Sequence, residues 1–353
     1  MAMIDLSRDV VALTADLVDI ESESLAEQEI CNAVEVALAG LPHLEIIRDR
    51  HTLVARTSLG RPERVVIAGH LDTVPANANL PSRLDGEVLW GLGSCDMKGG
   101  VAIALRLAAH VSAPTRDVTF VFYEAEEIEH EFNGLGRVAR ERPELLAADF
   151  AILMEPTDAI VEAGCQGTLR VDVITRGERA HSARSWKGSN AVHAAAEILN
   201  RLTTYTAREV EIDGLLYREG MNAVGISGGV AGNVVPDEAR VSVNYRFAPD
   251  VDEKQALAHV HELFDGFEVV VTDTAPGAMP GLDRPAAASF VEAIGVDVGP
   301  KYGWTDVAQF TQLGIPAVNF GPGDPMYAHK ADEHVPVDHL IRVEEALTTW
   351  LTT

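Results

Sequence analysis

Apolar and polar residues along this chain follow two rhythms, and the change falls near Gly167. From Leu6 to Ala39 the apolar positions recur at helical spacing, broken around Glu21–Ser24, which predicts helices. From Leu44 to about Cys165 short apolar runs alternate with helical stretches. Val65–Ala68, Val118–Tyr123 and Phe150–Met154 read as buried strands, and the Ala- and Leu-rich Gly100–His110 reads as a helix. Such alternation predicts βαβ units and an α/β fold with a mainly parallel sheet. After Gly167 the order differs. Leu169–Thr175, Asn222–Ser227, Ala239–Phe247 and Phe267–Thr272 read as strands, and Asn190–Tyr205 and Val251–Phe264 as helices. That order is β-α-β-β-α-β, a ferredoxin-like unit. Thr274–Pro285 reads as a linker, and helix and strand signals then resume, with a strand at Ile315–Phe320.

Metal-type side chains follow the strands of the first rhythm. His70, Glu127 and Glu155 come just past the three early runs, and His329 comes beyond Ile315–Phe320. Asp96 lies in the glycine-rich Gly91–Gly100. In an open α/β sheet, function gathers outside the carboxyl ends of the strands, so distant residues meet there. Taken singly, each signal is weak. An Asp such as Asp96 is most often a helix cap. The acidic run Tyr123–Glu131 reads by itself as a solvated helix face. Together the five make a ligand set for two zinc ions, each with one His, one Glu and the shared Asp96. Three carboxylates and one bridging hydroxide would neutralise the pair. Asp72, two residues past His70, would orient that imidazole. Glu126, beside a ligand, would be the general base. If His329 joins the other four, the catalytic domain is discontinuous, 1–166 and 281–353, with 167–280 inserted.

Other chemistries fit poorly. Gly91–Gly100 fails both the dinucleotide and the phosphate-loop patterns, because Asp96 stands where a glycine is needed. No G-x-S-x-G elbow occurs. A formal net charge of −26 argues against nucleic acid or an anionic membrane as partner. Three widely spaced cysteines suit a reducing cytoplasm. The first residues lack the basic start and unbroken apolar stretch of a signal peptide.

These residues resemble the dizinc amidohydrolase family that contains carboxypeptidase G, aminoacylase, acetylornithine deacetylase and succinyl-diaminopimelate desuccinylase. GCQGTLRV, RAHSARSW, GGVAGNVVPD, NYRFAPD, KYGWTDVAQF and GIPAVNFGPGDP are most similar to its actinobacterial desuccinylase branch. The resemblance implies a homodimer acting on a small anionic N-acyl amino acid, with two Zn2+ per subunit for which Co2+ can substitute. It makes His70 and Glu155 ligands of one zinc, Glu127 and His329 ligands of the other, and Asp96 the bridge, followed by a cis peptide to Met97. It makes Glu126 general base and acid, with Asp72 and His181 as further catalytic residues and the insertion a dimerisation and lid domain. His181 would act from the partner subunit. Asn233, Arg246, Gly303 and Thr305 would bind substrate. For Arg246 the plain alternative is a strand arginine paired with Asp250. Cys165-Gln166-Gly167-Thr168 and Gln309 depart from the arginine-bearing segments of better-known desuccinylases, which affects carboxylate binding. An acetylornithine deacetylase-like or aminoacylase-like enzyme and a non-catalytic metal-binding protein are the other readings.

Overall fold

The computed structural model describes residues 4–353. The chain divides into two compact units. The first holds the residues up to Gly164, Pro280–Pro300 and Thr305–Thr353, and the second Cys165–Met279 and Lys301–Trp304.

The first unit is built on an eight-stranded sheet. Its spatial order is Glu45–Asp49, Thr52–Arg56, Asp117–Tyr123, Arg64–His70, Phe150–Leu153, Ala317–Asn319, Val161–Ala163 and Val298–Pro300. The four strands Asp117–Tyr123, Arg64–His70, Phe150–Leu153 and Ala317–Asn319 run parallel to one another. Every residue of Asp117–Tyr123 is buried. A parallel strand covered on both faces reads as one continuous apolar run, which is why the pattern was legible. The helix Lys98–His110 packs on Arg64–His70 and against the helices Val10–Val18 and Val337–Thr352. Ten of its 13 residues are buried, as expected of a helix apolar nearly all round. Two glycines bring neighbours close to the backbone of Met154 and Glu155. A Cβ on Gly100 would lie 2.2 Å from the Met154 carbonyl oxygen, and one on Gly321 2.5 Å from that of Glu155. Among the described residues no helix is long and apolar enough to cross a membrane.

The acidic run differs from its plain reading. Glu124–Glu131 forms no α-helix, only a 3-10 turn at His130–Phe132. Glu124 is buried because Arg137 and Thr52 satisfy its carboxylate.

The second unit is a four-stranded antiparallel sheet in the order Gly220–Gly228, Glu238–Phe247, Gly167–Arg176, Glu268–Ala275. The helices Ala191–Thr204 and Glu253–Leu263 cover one face. Leu169, Val171, Val173, Ile198, Val241, Val243, Tyr245, Phe247, Val260 and Phe264 form the core there. Strand alternation sends Arg240, Ser242, Asn244 and Arg246 to the opposite face. A hairpin absent from the sequence reading, Glu209–Ile212 with Leu215–Arg218, turns at Asp213-Gly214. Both turn residues have positive φ, 52° and 79°. Asp-Gly between β-type runs is the strongest short-range hairpin signal, and it was there to be read. The unit also starts earlier than the 167–280 expectation and gains a short segment. Cys165 pairs with Ala278, and Gln166 N–H donates to the Lys301 carbonyl at 3.3 Å. Trp304 Nε1 donates to the Pro276 carbonyl at 3.1 Å.

Candidate active site

Because four strands of the first unit's sheet run parallel, their carboxyl ends share one edge. His70 ends its strand, opposite Tyr123 in register. Glu126 and Glu127 follow Tyr123 by three and four residues, and Glu155 follows the strand that ends at Leu153. His329 arrives on the loop after Ala317–Asn319, with φ +63°. Asp96 precedes the helix Lys98–His110, and its peptide to Met97 is cis.

The side chains converge. His70 Nε2 lies 3.2 Å from Asp96 Oδ1. His329 Nε2 lies 3.5 Å from Asp96 Oδ2 and 2.8 Å from Glu127 Oε2. One donor atom from each of His70, Asp96 and Glu127 falls within 4.8 Å of the others. Glu155 is buried at the neighbouring strand end.

Three buried carboxylates brace the backbone that presents these groups. Asp72 accepts the amides of Glu126 and Glu127, each at 3.1 Å, and the Ser24 hydroxyl at 2.7 Å. Its Oδ1 is 3.4 Å from His70 Nδ1, which also lies 3.0 Å from the Asp72 carbonyl oxygen. Glu333 accepts the amides of Cys95 and Asp96, each at 3.1 Å. Glu27 accepts the amide of Ala125 at 3.1 Å. Sequence reasoning missed Glu27 and Glu333. Among 54 acidic residues, nothing local marks the two that the fold turns inward.

The electrostatics show an excess of acid. Burial raises Glu126 well above the usual carboxylate range; Glu155, Glu127 and Asp306 add to this, while His70 opposes it. Burial and Asp96 also raise Glu127. Hydrogen bonds to Asp96 and Glu127 push His329 up to about 11. Burial alone would lower His70, but Asp72 and Asp96 hold it well above its ordinary value. Imidazole and carboxylate donors crowded in this way suit divalent first-row cations, which would relieve the same repulsion.

The remaining candidates divide between the units. In the second unit His181 ends the short strand Ala180–His181, which pairs with Val234–Val235. Asn233 is its neighbour, with a carbonyl that accepts the Ser182 amide at 2.9 Å. His181 is exposed, and its Nδ1 accepts the Ala183 amide at 3.1 Å. Arg246 sits opposite Gly220 and Thr168. Burial, with Arg170 nearby, lowers its guanidinium. Among the described residues its guanidinium makes no hydrogen bond or ion pair, although Asp273 lies near enough to oppose the shift; Asp250 pairs instead with Arg208 at 3.1 Å. Gly303 belongs to the segment Lys301–Trp304 of this unit, whereas Thr305 is buried in the first unit. Gln309 is buried in the helix Val307–Gln312.

Histidines and carboxylates gathered at the carboxyl edge of a parallel sheet, beside a further, partly buried glutamate, suit a metallohydrolase-type site. The chain belongs to Peptidase family M20/M25/M40, a family of metal-dependent hydrolases, whose model matches residues 66–353. It is 55% identical over 352 residues to a Mycobacterium tuberculosis protein assigned as a succinyl-diaminopimelate desuccinylase, covering 99% of each chain. It is 46% identical over 360 residues to the succinyl-diaminopimelate desuccinylase of Corynebacterium glutamicum, covering 99% of this chain and 98% of the relative. Its fold matches the Bacillus subtilis YXEP protein, a dinuclear metal-binding peptidase of the M20 family. There the TM-score is 0.70 and the identity 18%, covering 97% of this chain and 96% of that one.

Proposed function

We propose that this chain hydrolyses N-succinyl-L,L-2,6-diaminopimelate to succinate and L,L-2,6-diaminopimelate, a cytoplasmic step of lysine and cell-wall synthesis. One observation carries the reading: His70, Asp96, Glu127 and His329 converge, with the partly buried Glu126 adjacent in sequence to Glu127. Near full-length identity to named desuccinylases supports the acyl group.

His70 and Glu155 would hold one zinc ion, Glu127 and His329 the other, and Asp96 both. When bound, such a pair activates water and polarises the amide carbonyl. The chain's own residues do the rest. Glu126 takes a proton from the attacking water and passes it to the leaving amine nitrogen. Asp72 fixes the ring of His70 and the amides of Glu126 and Glu127, so three working groups share one brace. His181 accepts a hydrogen bond at Nδ1, so its neutral form carries the proton on Nε2. That exposed N–H is the donor we assign to the amide oxygen, acting across a homodimer. Arg246, whose guanidinium has no ion pair among the described residues, is the group we assign to a substrate carboxylate; Asn233, Gly303 and Thr305 are the other substrate-binding assignments.

The test offers N-succinyl-L,L-diaminopimelate and N-acetylornithine side by side and measures succinate and acetate released. A chelated sample is then reloaded with zinc or cobalt. Metal-dependent succinate release, faster than acetate release, is the expected result. Faster acetate release would assign a deacetylase. Hydrolysis of neither substrate would favour a metal-binding protein without catalysis.

A further inference from the structure

The segment that carries the proposed base is held at four consecutive residues. Arg137 Nη1 donates to the Glu124 carboxylate at 2.6 Å, and Thr52 Oγ1 donates to its other oxygen. The amides of Glu126 and Glu127 donate to Asp72. The remaining amide, Ala125, donates to Glu27 Oε1 at 3.1 Å. Ala125 has φ +57°, in the left-handed region that residues with a Cβ avoid. The same Glu27 oxygen accepts the amide of Leu25 at 2.8 Å, and Leu25 is also left-handed, at φ +72°. One carboxylate oxygen thus ties together two disfavoured turns, at Leu25 and at Ala125, the second 98 positions along the chain from Glu27. The Glu27 side chain is 1% exposed. Burying a carboxylate is costly, so its place is kept by what it binds. Ser24, three residues before it, bonds to Asp72, so one N-terminal stretch braces the whole 125–127 turn.

We propose that Glu27 is a positioning residue for the hydrolysis: by holding the Ala125 amide it fixes the turn that aims the Glu126 carboxylate. This rests on the assignment of Glu126 as base. Glu27 itself contacts none of the candidate ligands through a hydrogen bond or ion pair; its carboxylate meets the amides of Leu25 and Ala125, its own backbone amide and the His51 ring, with Asp72 as a nearby like charge. Asp72 holds the amide of Glu127 independently, so removing Glu27 leaves that ligand's amide braced. The loss should therefore fall on kcat.

The experiment compares Glu27→Ala, Glu27→Asp and Glu27→Gln with wild type and Glu126→Gln. Readouts are kcat, KM, metal content and thermal melting of the metal-loaded enzyme. Misplacing a catalytic group by about 1 Å costs on the order of 10²-fold. We expect Glu27→Ala to lose about tenfold to a hundredfold in kcat, with KM and metal content close to wild type. Glu27→Gln keeps an acceptor oxygen and should recover most of the loss. Glu27→Asp withdraws the oxygen by one methylene, should lose kcat in the same way, and decides the matter if the Ala variant does not fold. Wild-type kcat in both the Ala and Asp variants would overturn the proposal. So would a loss that follows metal content, or a Gln variant as impaired as Ala. If Glu126→Gln itself turned over like wild type, the base assignment would fail, whatever the Glu27 variants did.

Discussion

In the first unit Asp96, Glu126, Glu127 and Glu155 crowd around two histidines, and burial drives Glu126 and Glu127 upward. In the second unit Arg246 is half-buried beside Arg170; the nearby Asp273 pairs with Arg170, and the Arg246 guanidinium makes no ion pair among the described residues. The first crowds carboxylates together, and the second leaves one guanidinium outside the ion pairs that hold its neighbours Arg170 and Arg240. Each unit also contains its own counterexample. Arg137 satisfies Glu124 in the first, and Arg208 joins Glu219 and Asp250 in the second. Buried charge that the fold balances is scaffold. Charge left unbalanced is, on the proposed function, where a ligand would supply the missing sign: cations in one unit, a substrate carboxylate in the other.

The strongest way to break this comparison is Glu126→Gln. The substitution keeps the shape and removes the base, so turnover should fall about 10²–10⁴-fold. Metal content, measured on the same preparation, should stay at the wild-type level. A variant that holds its metal and turns over normally would end the role.

Arg246→Ala tests the other side. A charge-assisted hydrogen bond is worth about 1.5–3 kcal/mol, so kcat/KM for the succinylated substrate should drop about tenfold or more. Circular dichroism and metal content should be unchanged, because no partner in the fold is abandoned. An unaltered kcat/KM would leave the unpaired guanidinium without a function.

The balanced pair should respond in stability alone. Burial pushes the Glu219 carboxyl up, but Arg208 and the Ala248 amide pull it further down, to a net value below the usual range. A depressed carboxylate contributes stability above its unfolded pKa and loses it as pH falls through the folded value. Wild type should therefore lose this contribution below about pH 4, and Glu219→Gln should lack it throughout. Half of Arg208 is exposed, so the cost at neutral pH is modest, about 1–3 kcal/mol. Thermal melts of both proteins across pH would check it. Coincident pH dependences would refute the assignment, and a large loss of activity would place the pair outside the scaffold.

Much of the architecture was legible because its signals are local. Val118–Tyr123 is one apolar run because its strand is covered on both faces. Ala239–Phe247 alternates because only one face of its sheet meets the helices. The candidate ligands could be picked out because each follows such a strand or a glycine-rich turn. Other features were hidden. Glu124 sits in an acidic run that imitates a solvated face, and only Arg137 and Thr52 explain its burial. The segment Lys301–Trp304 carries no composition that assigns it to the second unit.

The sequence by itself determined the elements, their order and the list of residues able to bind metal, since periodicity and residue chemistry are properties of neighbours. Only the tertiary structure decided which acids do the bracing. The Ala125 amide meets Glu27 from 98 positions away, and the Asp96 amide meets Glu333 from 237 away. A hydrogen bond requires a particular atom within about 3 Å. Over such separations only the packing of whole elements brings those atoms together, here a helix start against the turn after Asp117–Tyr123 and the residue before His334–Pro336 against the turn before Lys98–His110; no pattern along the chain encodes which of its many carboxylates will arrive.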